Sequence, residues 1–264
     1  MEADKVAMVL HIEDDRKNLN TLKGITEPRY YAHEAVRCVR SWRKNGGWLK
    51  DCRIYALCCT DNPPPRKIID ELKSMGVVYV EDKFRKSSEF SSGFLTIPYT
   101  MCYFEKIFPV KEDILFRIDL DNELLKPFPE KWFDTASSGE IVVGQYSEGF
   151  EERSMYPGTL PFDTSLVIAS RKSHFLSHWY ENCFREKILL SDEWQKVKAK
   201  TGDYWLEEFV VDWMSWNGWC VKPVKDYQYG PGYHDMEHFV KHNLLEGLYM
   251  KHSHITGADN TEEF

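Results

Sequence analysis

The stretch Ile114-Leu115-Phe116-Arg117-Ile118-Asp119-Leu120-Asp121-Asn122-Glu123-Leu124-Leu125 frames the reading of the whole chain. A short apolar run, interrupted by Arg117, leads straight into two carboxylates two positions apart. Such a run reads as a buried strand. Ligands favour the carboxyl edge of an open α/β sheet, which is where Asp119 and Asp121 would stand. Carboxylate oxygens suit Mg²⁺ or Mn²⁺, and a diphosphate with water completes the shell of such an ion. The same D-x-D spacing also occurs in solvated acidic turns, so spacing alone leaves both readings open.

Outward from this stretch the chain alternates strand and helix. Val6 to Ile12 is an apolar run with His11 near its end, a first buried strand. Ala32, Ala35, Val36, Val39 and Trp42 fall near helical spacing and predict a helix over 28–44, stopped by Asn45-Gly46-Gly47. Cys52 to Cys59 and Val77 to Val80 read as strands flanking a helix from Arg66 to Met75. Leu95 to Phe108 reads as helical despite Pro98. Strand–helix alternation implies an α/β fold with a mainly parallel sheet and right-handed crossovers. Further on, Ile141–Val143 and Ser165–Ala169 read as strands, and Ser173–Leu190 and Tyr204–Trp216 as helices. From Val221 the chain reads as loop-rich. With no repeat or linker visible, the 264 residues are read as a single domain.

Composition narrows the function classes. The 42% hydrophobic and 29% charged content is that of a globular chain. Lys plus Arg is 34 and Asp plus Glu is 42, a net charge of −8, which argues against nonspecific nucleic-acid binding. Seven cysteines, an odd number with no C-x-x-C, point away from a disulfide framework or zinc knuckle and toward a reducing compartment. No signal peptide and no apolar run near ~18 residues is visible, so no membrane span and a cytoplasmic location are expected.

Other segments carry candidate chemistry. His254-Ile255-Thr256-Gly257 offers an imidazole as a third metal ligand, with His252 as the alternative. Gly257 would let the backbone approach a phosphate. Asp203, Glu207 and Glu208 lie at the start of a helix, where acids suit the dipole. One of them can instead act as a base or nucleophile. Asp163 and Thr164, leading into a strand, suit hydroxyl binding or a plain turn. Trp213, Trp216 and Trp219 are expected in the core. His234, His238 and His242 recur at helical spacing, but no H-E-x-x-H forms, and a solvated helix is expected there.

Taken in order, these segments resemble the GT-A glycosyltransferases, within them the glycogenin-like and bacterial galactosyltransferase-like retaining group. The likeness rests on Tyr30-Tyr31-Ala32 through Ser41, on Asp119 and Asp121, on Phe162-Asp163-Thr164-Ser165, on Glu207-Glu208, and on His254 with Gly257. It covers nearly the whole chain. It implies a metal-dependent transferase moving a sugar from a UDP-sugar, a hexose or xylose, to a hydroxyl of a glycan or glycoprotein. The nucleotide-sugar-binding half would be 1–121 and the acceptor-binding half 122–264. Asp119, Asp121 and His254 would hold Mn²⁺ or Mg²⁺. His11, Ile12, Tyr31, Arg117, Lys251 and Gly257 would contact the nucleotide, as would Asp119, which would face the ribose as well as the metal. The family's Lys after its terminal histidine motif falls at Asn260, and its acidic D-Q pair is Glu-Glu here. Retaining and inverting chemistry therefore both stay open.

Three rivals share part of the pattern. Haloacid-dehalogenase-like phosphatases also use a strand followed by D-x-D, but near the start of the chain. Sugar nucleotidyltransferases need an N-terminal Gly-rich loop that is missing. A non-catalytic carbohydrate-binding domain suits the nine Trp but needs no metal.

Overall fold

The computed structural model describes residues 2–14, 31–84, 93–146, 154–155, 159–203, 205–225, 228–229 and 248–252. The elements are β1 (Val6–His11), α1 (Tyr31–Asn45), β2 (Arg53–Cys59), α2 (Arg66–Ser74), β3 (Val77–Asp82) and α3 (Thr96–Lys106). Next come β4 (Ile114–Ile118), β5 (Asn122–Leu124), α4 (Glu130–Ser137), β6 (Ile141–Gln145) and β7 (Phe162–Ser170). The chain continues through α5 (Phe175–Asn182), α6 (Glu186–Leu189), α7 (Asp192–Thr201), α8 (Leu206–Trp216), β8 (Val221–Val224), β9 (Gln228–Tyr229) and β10 (Met250–His252).

Seven strands form one sheet in the order β3-β2-β1-β4-β7-β6-β8. The pairs β2–β3, β1–β4 and β6–β8 are parallel, and β7 runs antiparallel to both β4 and β6. The expected α/β fold with a mainly parallel sheet is what forms. Ile114–Ile118 is buried at every position, as helix-covered strands are. Pro223 is tolerated because β8 is an edge strand.

Two compact units are distinguished. The first comprises Met1–Val9, Arg85–Ile118 and Pro129–Asp226; the second comprises Leu10–Phe84, Asp119–Phe128 and Tyr227–Phe264. In the second unit the core gathers around Trp42 of α1. Its indole N–H donates to Leu49 O at 3.1 Å, and its ring meets Phe128 edge-on. The glycines after α1 end the helix by geometry. A Cβ on Gly46 would come 2.5 Å from Trp42 O, and Gly47 holds φ 57° with Pro127 against it. Only glycine adopts that left-handed conformation at little cost.

Several elements differ from the periodicity reading. The helix expected over 173–190 is two helices, because His174 takes a left-handed conformation (φ 58°) before α5 and Cys183–Arg185 separate α5 from α6. Apolar spacing continues through that break, so it left no trace in the pattern. Helices α4 and α7 were not expected. In α7 only Trp194 and Val197 are buried, too few for a clear period, although Ser191 Oγ caps the helix by accepting from Trp194 N. Trp216, expected in the core, is 60% exposed at the end of α8. Among the described residues no helix is long and apolar enough to cross a membrane. His234, His238 and His242 lie outside the described residues.

Candidate functional site

In the second unit, Asp119 and Asp121 directly follow β4, and a turn closes between them as Asn122 N–H donates to Asp119 O at 3.2 Å. Asp119 is half-buried and Asp121 is 4% exposed. Helix α1 holds the strand that follows. Arg37 Nε pairs with Glu123 Oε1 at 3.2 Å. Ser41 Oγ accepts from Leu124 N–H at 2.9 Å, and Asn45 Nδ2 donates to Leu124 O at 2.6 Å. These three residues recur at i, i+4, i+8, so a single helix face clamps β5.

The electrostatics around this turn are acidic. Cys38, one position after Arg37, is fully buried. Burial pushes its thiol far up; Asp121, Asp119 and Glu123 push it further, and Arg37 opposes them. Three carboxylates therefore act on one buried point against a single guanidinium. Two hard-oxygen donors in such a field fit a hard divalent cation whose other positions go to phosphate oxygens and water. Among the described residues no group of three or more His, Cys, Asp or Glu side chains gathers to hold a metal. The expected third ligand, His254, lies outside the described residues, as does Gly257.

The approach of the C-terminal segment is described up to residue 252. Strand β10 pairs antiparallel with β5, setting Met250 opposite Leu124, Lys251 opposite Glu123 and His252 opposite Asn122. Leu125 N–H donates to Tyr249 O at 2.8 Å and continues the ladder. Lys251 is half-buried. Of Tyr31, only the backbone, at the start of α1, is described.

The end of β1 is tied to the turn after β2. His11 Nε2 lies 2.9 Å from Glu13 Oε1, and Asn62 Nδ2 donates to Glu13 Oε2 at 3.0 Å. Asp14 N–H donates to Asn62 O and Ile12 N–H to Leu57 O, both at 3.0 Å. His11 remains part-exposed with its ring against Phe84, whereas Ile12 is buried.

The first unit gathers the other candidates. Glu207 and Glu208 lie in the first turn of α8 and are 1% and 4% exposed. The N-cap residue of α8, Trp205, makes no side-chain cap bond. Tyr146 O–H donates to Glu208 Oε1 at 2.9 Å, and Trp179 Nε1 donates to Glu207 O at 2.9 Å. Asp203 is instead half-exposed and ion-paired with Lys198 Nζ at 2.8 Å. The sequence had not singled out Asp212, which lies one turn after Glu208. Its signal was the i, i+4 spacing of two acids on one helix.

Asp163 and Thr164 open β7 at a wide irregularity. Val143 of β6 stands opposite Val167, but Gly144 stands opposite Asp163, so Thr164, Ser165 and Leu166 are extra residues on β7. Bulges re-aim side chains and recur beside active sites. The displaced backbone finds partners locally. Asp163 Oδ1 accepts from Ser165 N–H at 2.9 Å and from Ser165 O–H at 2.6 Å. Buried Arg117 donates from Nη1 to Thr164 O. Arg117, the polar interruption in β4, thus supports this bulge.

No family model matches the chain, and no curated protein matches it by sequence. Solved structures match it throughout. Mouse xyloside xylosyltransferase 1 in its apo form is similar over 98% of this chain and 99% of its own, with a TM-score of 0.55 at 10% identity. The galactosyltransferase LgtC, in complex with donor and acceptor sugar analogues, is similar over 94% of this chain and 86% of its own, with a TM-score of 0.53 at 10% identity. An active-site mutant of LgtC gives 0.54 at 12% identity over the same shares. At these identities the likeness establishes the fold, which is the GT-A type.

Proposed function

We propose that this chain is a metal-dependent glycosyltransferase. It would move a hexose such as galactose or glucose, or xylose, from a UDP-sugar to a hydroxyl of a glycan or glycoprotein. The observation that carries the reading is the β5–β10 register, which docks the C-terminal strand on the strand leaving Asp121. His252, two positions before the His254 of the proposed metal set, is thereby set opposite Asn122, the residue after Asp121. The GT-A fold supports the same reading.

In this proposal Asp119, Asp121 and His254 hold Mn²⁺ or Mg²⁺. When bound, such an ion offsets the charge on the donor diphosphate and on the departing UDP. His11, Ile12 and Tyr31 serve the nucleoside; Lys251, Arg117 and the backbone at Gly257 serve the phosphates. Asp163 and Thr164 bind sugar hydroxyls at the bulge. Glu207 and Glu208, desolvated on α8, are the preferred base or nucleophile over the ion-paired Asp203. The test is Mn²⁺-dependent release of UDP from a panel of UDP-sugars by the wild type and by Asp121→Asn. The reading expects release by the wild type and loss in the variant; equal turnover by both would remove it.

A further inference from the structure

Tyr146, the residue that follows β6, is held at both ends. Strand β6 runs parallel to β4, because both are antiparallel to β7. Tyr146 therefore stands at the sheet edge where β4 also ends, the carboxyl edge that ligands favour. The lead-in to β7 fixes its backbone. Tyr146 N–H donates to Pro161 O at 3.2 Å, and the preceding Gln145 donates from Nε2 to Leu160 O at 3.2 Å. Gln145 also pairs in register with Phe162. At the far end of the ring, the hydroxyl donates to Glu208 Oε1 at 2.9 Å. A side chain with few rotatable bonds thus runs as a strut from the sheet edge to the first turn of α8. All of these residues lie within the first compact unit.

The bond serves the acid more than the phenol. Tyr146 is half-buried, whereas Glu208 is 4% exposed. A part-exposed phenol can give its proton to solvent, but a desolvated carboxyl group depends on donors supplied by the protein. The neighbouring acid is placed differently, since residues i and i+1 of a helix do not face each other. Four residues beyond Glu207 stands Val211, which is fully buried and apolar. Four residues beyond Glu208 stands Asp212, whose Oδ2 accepts from Met155 N–H at 3.2 Å in the connection between β6 and β7. Glu208 is thus the acid on the helix face turned to the end of β6, and Tyr146 holds it there.

We propose that Tyr146 is a positioning residue whose hydroxyl fixes the rotamer of Glu208, the acid that serves the transfer as base or nucleophile. Such a group gains rate when its approach to the reacting atom is set in advance. The role of Glu208 rests on the glycosyltransferase reading; the Tyr146–Glu208 bond does not.

The experiment compares the wild type with Tyr146→Phe, Glu208→Leu and the double variant. Steady-state release of UDP is measured with Mn²⁺ and whichever UDP-sugar the wild type consumes. Affinity for UDP is measured by titration, and urea unfolding is followed with no substrate present. Tyr146→Phe keeps the ring and removes only the hydroxyl. It should lower kcat about tenfold, the rate equivalent of one hydrogen bond to a charged group, while KM and UDP affinity stay within about twofold. The double variant should turn over within about twofold of Glu208→Leu alone, because the hydroxyl acts through that carboxyl group. The stability losses of the two single variants should likewise be non-additive. Wild-type kcat in Tyr146→Phe, or losses of kcat that multiply in the double variant, overturns the positioning role. Additive stability losses overturn the bond. If the wild type releases UDP from no UDP-sugar, the glycosyltransferase reading falls and the positioning role falls with it, while unfolding still judges the bond.

Discussion

Asn122 stands directly opposite His252 in the antiparallel register of β5 and β10. Asn122 follows Asp121, and two residues beyond His252 lies His254. A strand pairing fixes its register tightly when one face is buried, and Asn122 and Leu124 are both buried. The pairing thus fixes Met250–His252 beside the strand that follows Asp121.

Replacing His254 by Ala should weaken Mn²⁺ affinity, measured with UDP present, by about tenfold or more, since losing even an outer-shell partner costs a metal site 10–100-fold. His252→Ala should leave it within a few-fold. A larger loss in His252→Ala would transfer the ligand role to that residue.

Ser41 of α1 supplies the acceptor for Leu124 N–H within the clamp on β5. Ser41→Ala leaves that donor without this acceptor and should cost about 1–3 kcal/mol in urea unfolding. UDP affinity in Mn²⁺ should fall with it, because β5 directly follows the D-x-D. A stability loss with undiminished UDP binding would mean that the clamp does not order the turn.

Glu207 and Glu208 divide the chemistry from the binding. Glu207→Gln and Glu208→Gln should each bind UDP with Mn²⁺ as the wild type does. At least one should lose turnover by ~10²-fold or more, the usual effect of deleting a general base or nucleophile. Full activity in both variants would move the catalytic role to another group.

Asp212 makes stability depend on pH. Burial raises its pKa to about 7, and hydrogen bonds from Met155, Phe162 and Ser154 oppose that rise only in part. A carboxyl group raised in the folded state stabilises the fold while protonated. That contribution is complete below the unfolded value near 3.8 and is lost as pH rises through about 7. The shift corresponds to roughly 4 kcal/mol at most. Thermal unfolding from pH 5 to 8 should therefore show the wild type losing Tm relative to Asp212→Asn. Parallel curves would contradict the raised pKa.

The sequence showed the parallel α/β core plainly because β1, β2 and β4 are apolar runs separated by helical periods. It showed Asp119 and Asp121 for the same reason: two acids directly after a buried strand stand out. It hid what depends on pairing between distant segments. Nothing in Asn122-Glu123-Leu124 announces a strand, since three residues carry no period, and its partner lies in a stretch that reads as loop. The β7 bulge was hidden likewise, because a register slip leaves apolar alternation intact. Arg117 was visible as an anomaly in a strand, but its bond to Thr164 O belongs to the neighbouring strand and not to any local pattern. Asp212 was hidden within a helix whose apolar residues dominated the reading.

The most direct measurement is calorimetric titration of UDP into the protein, first with Mn²⁺ and then with a chelator in its place. Saturable binding is expected with the metal and none with the chelator, with loss of the metal-dependent signal in Asp121→Asn. Absence of UDP binding in the presence of Mn²⁺, or UDP binding indifferent to the chelator, would overturn metal-dependent donor binding at the D-x-D.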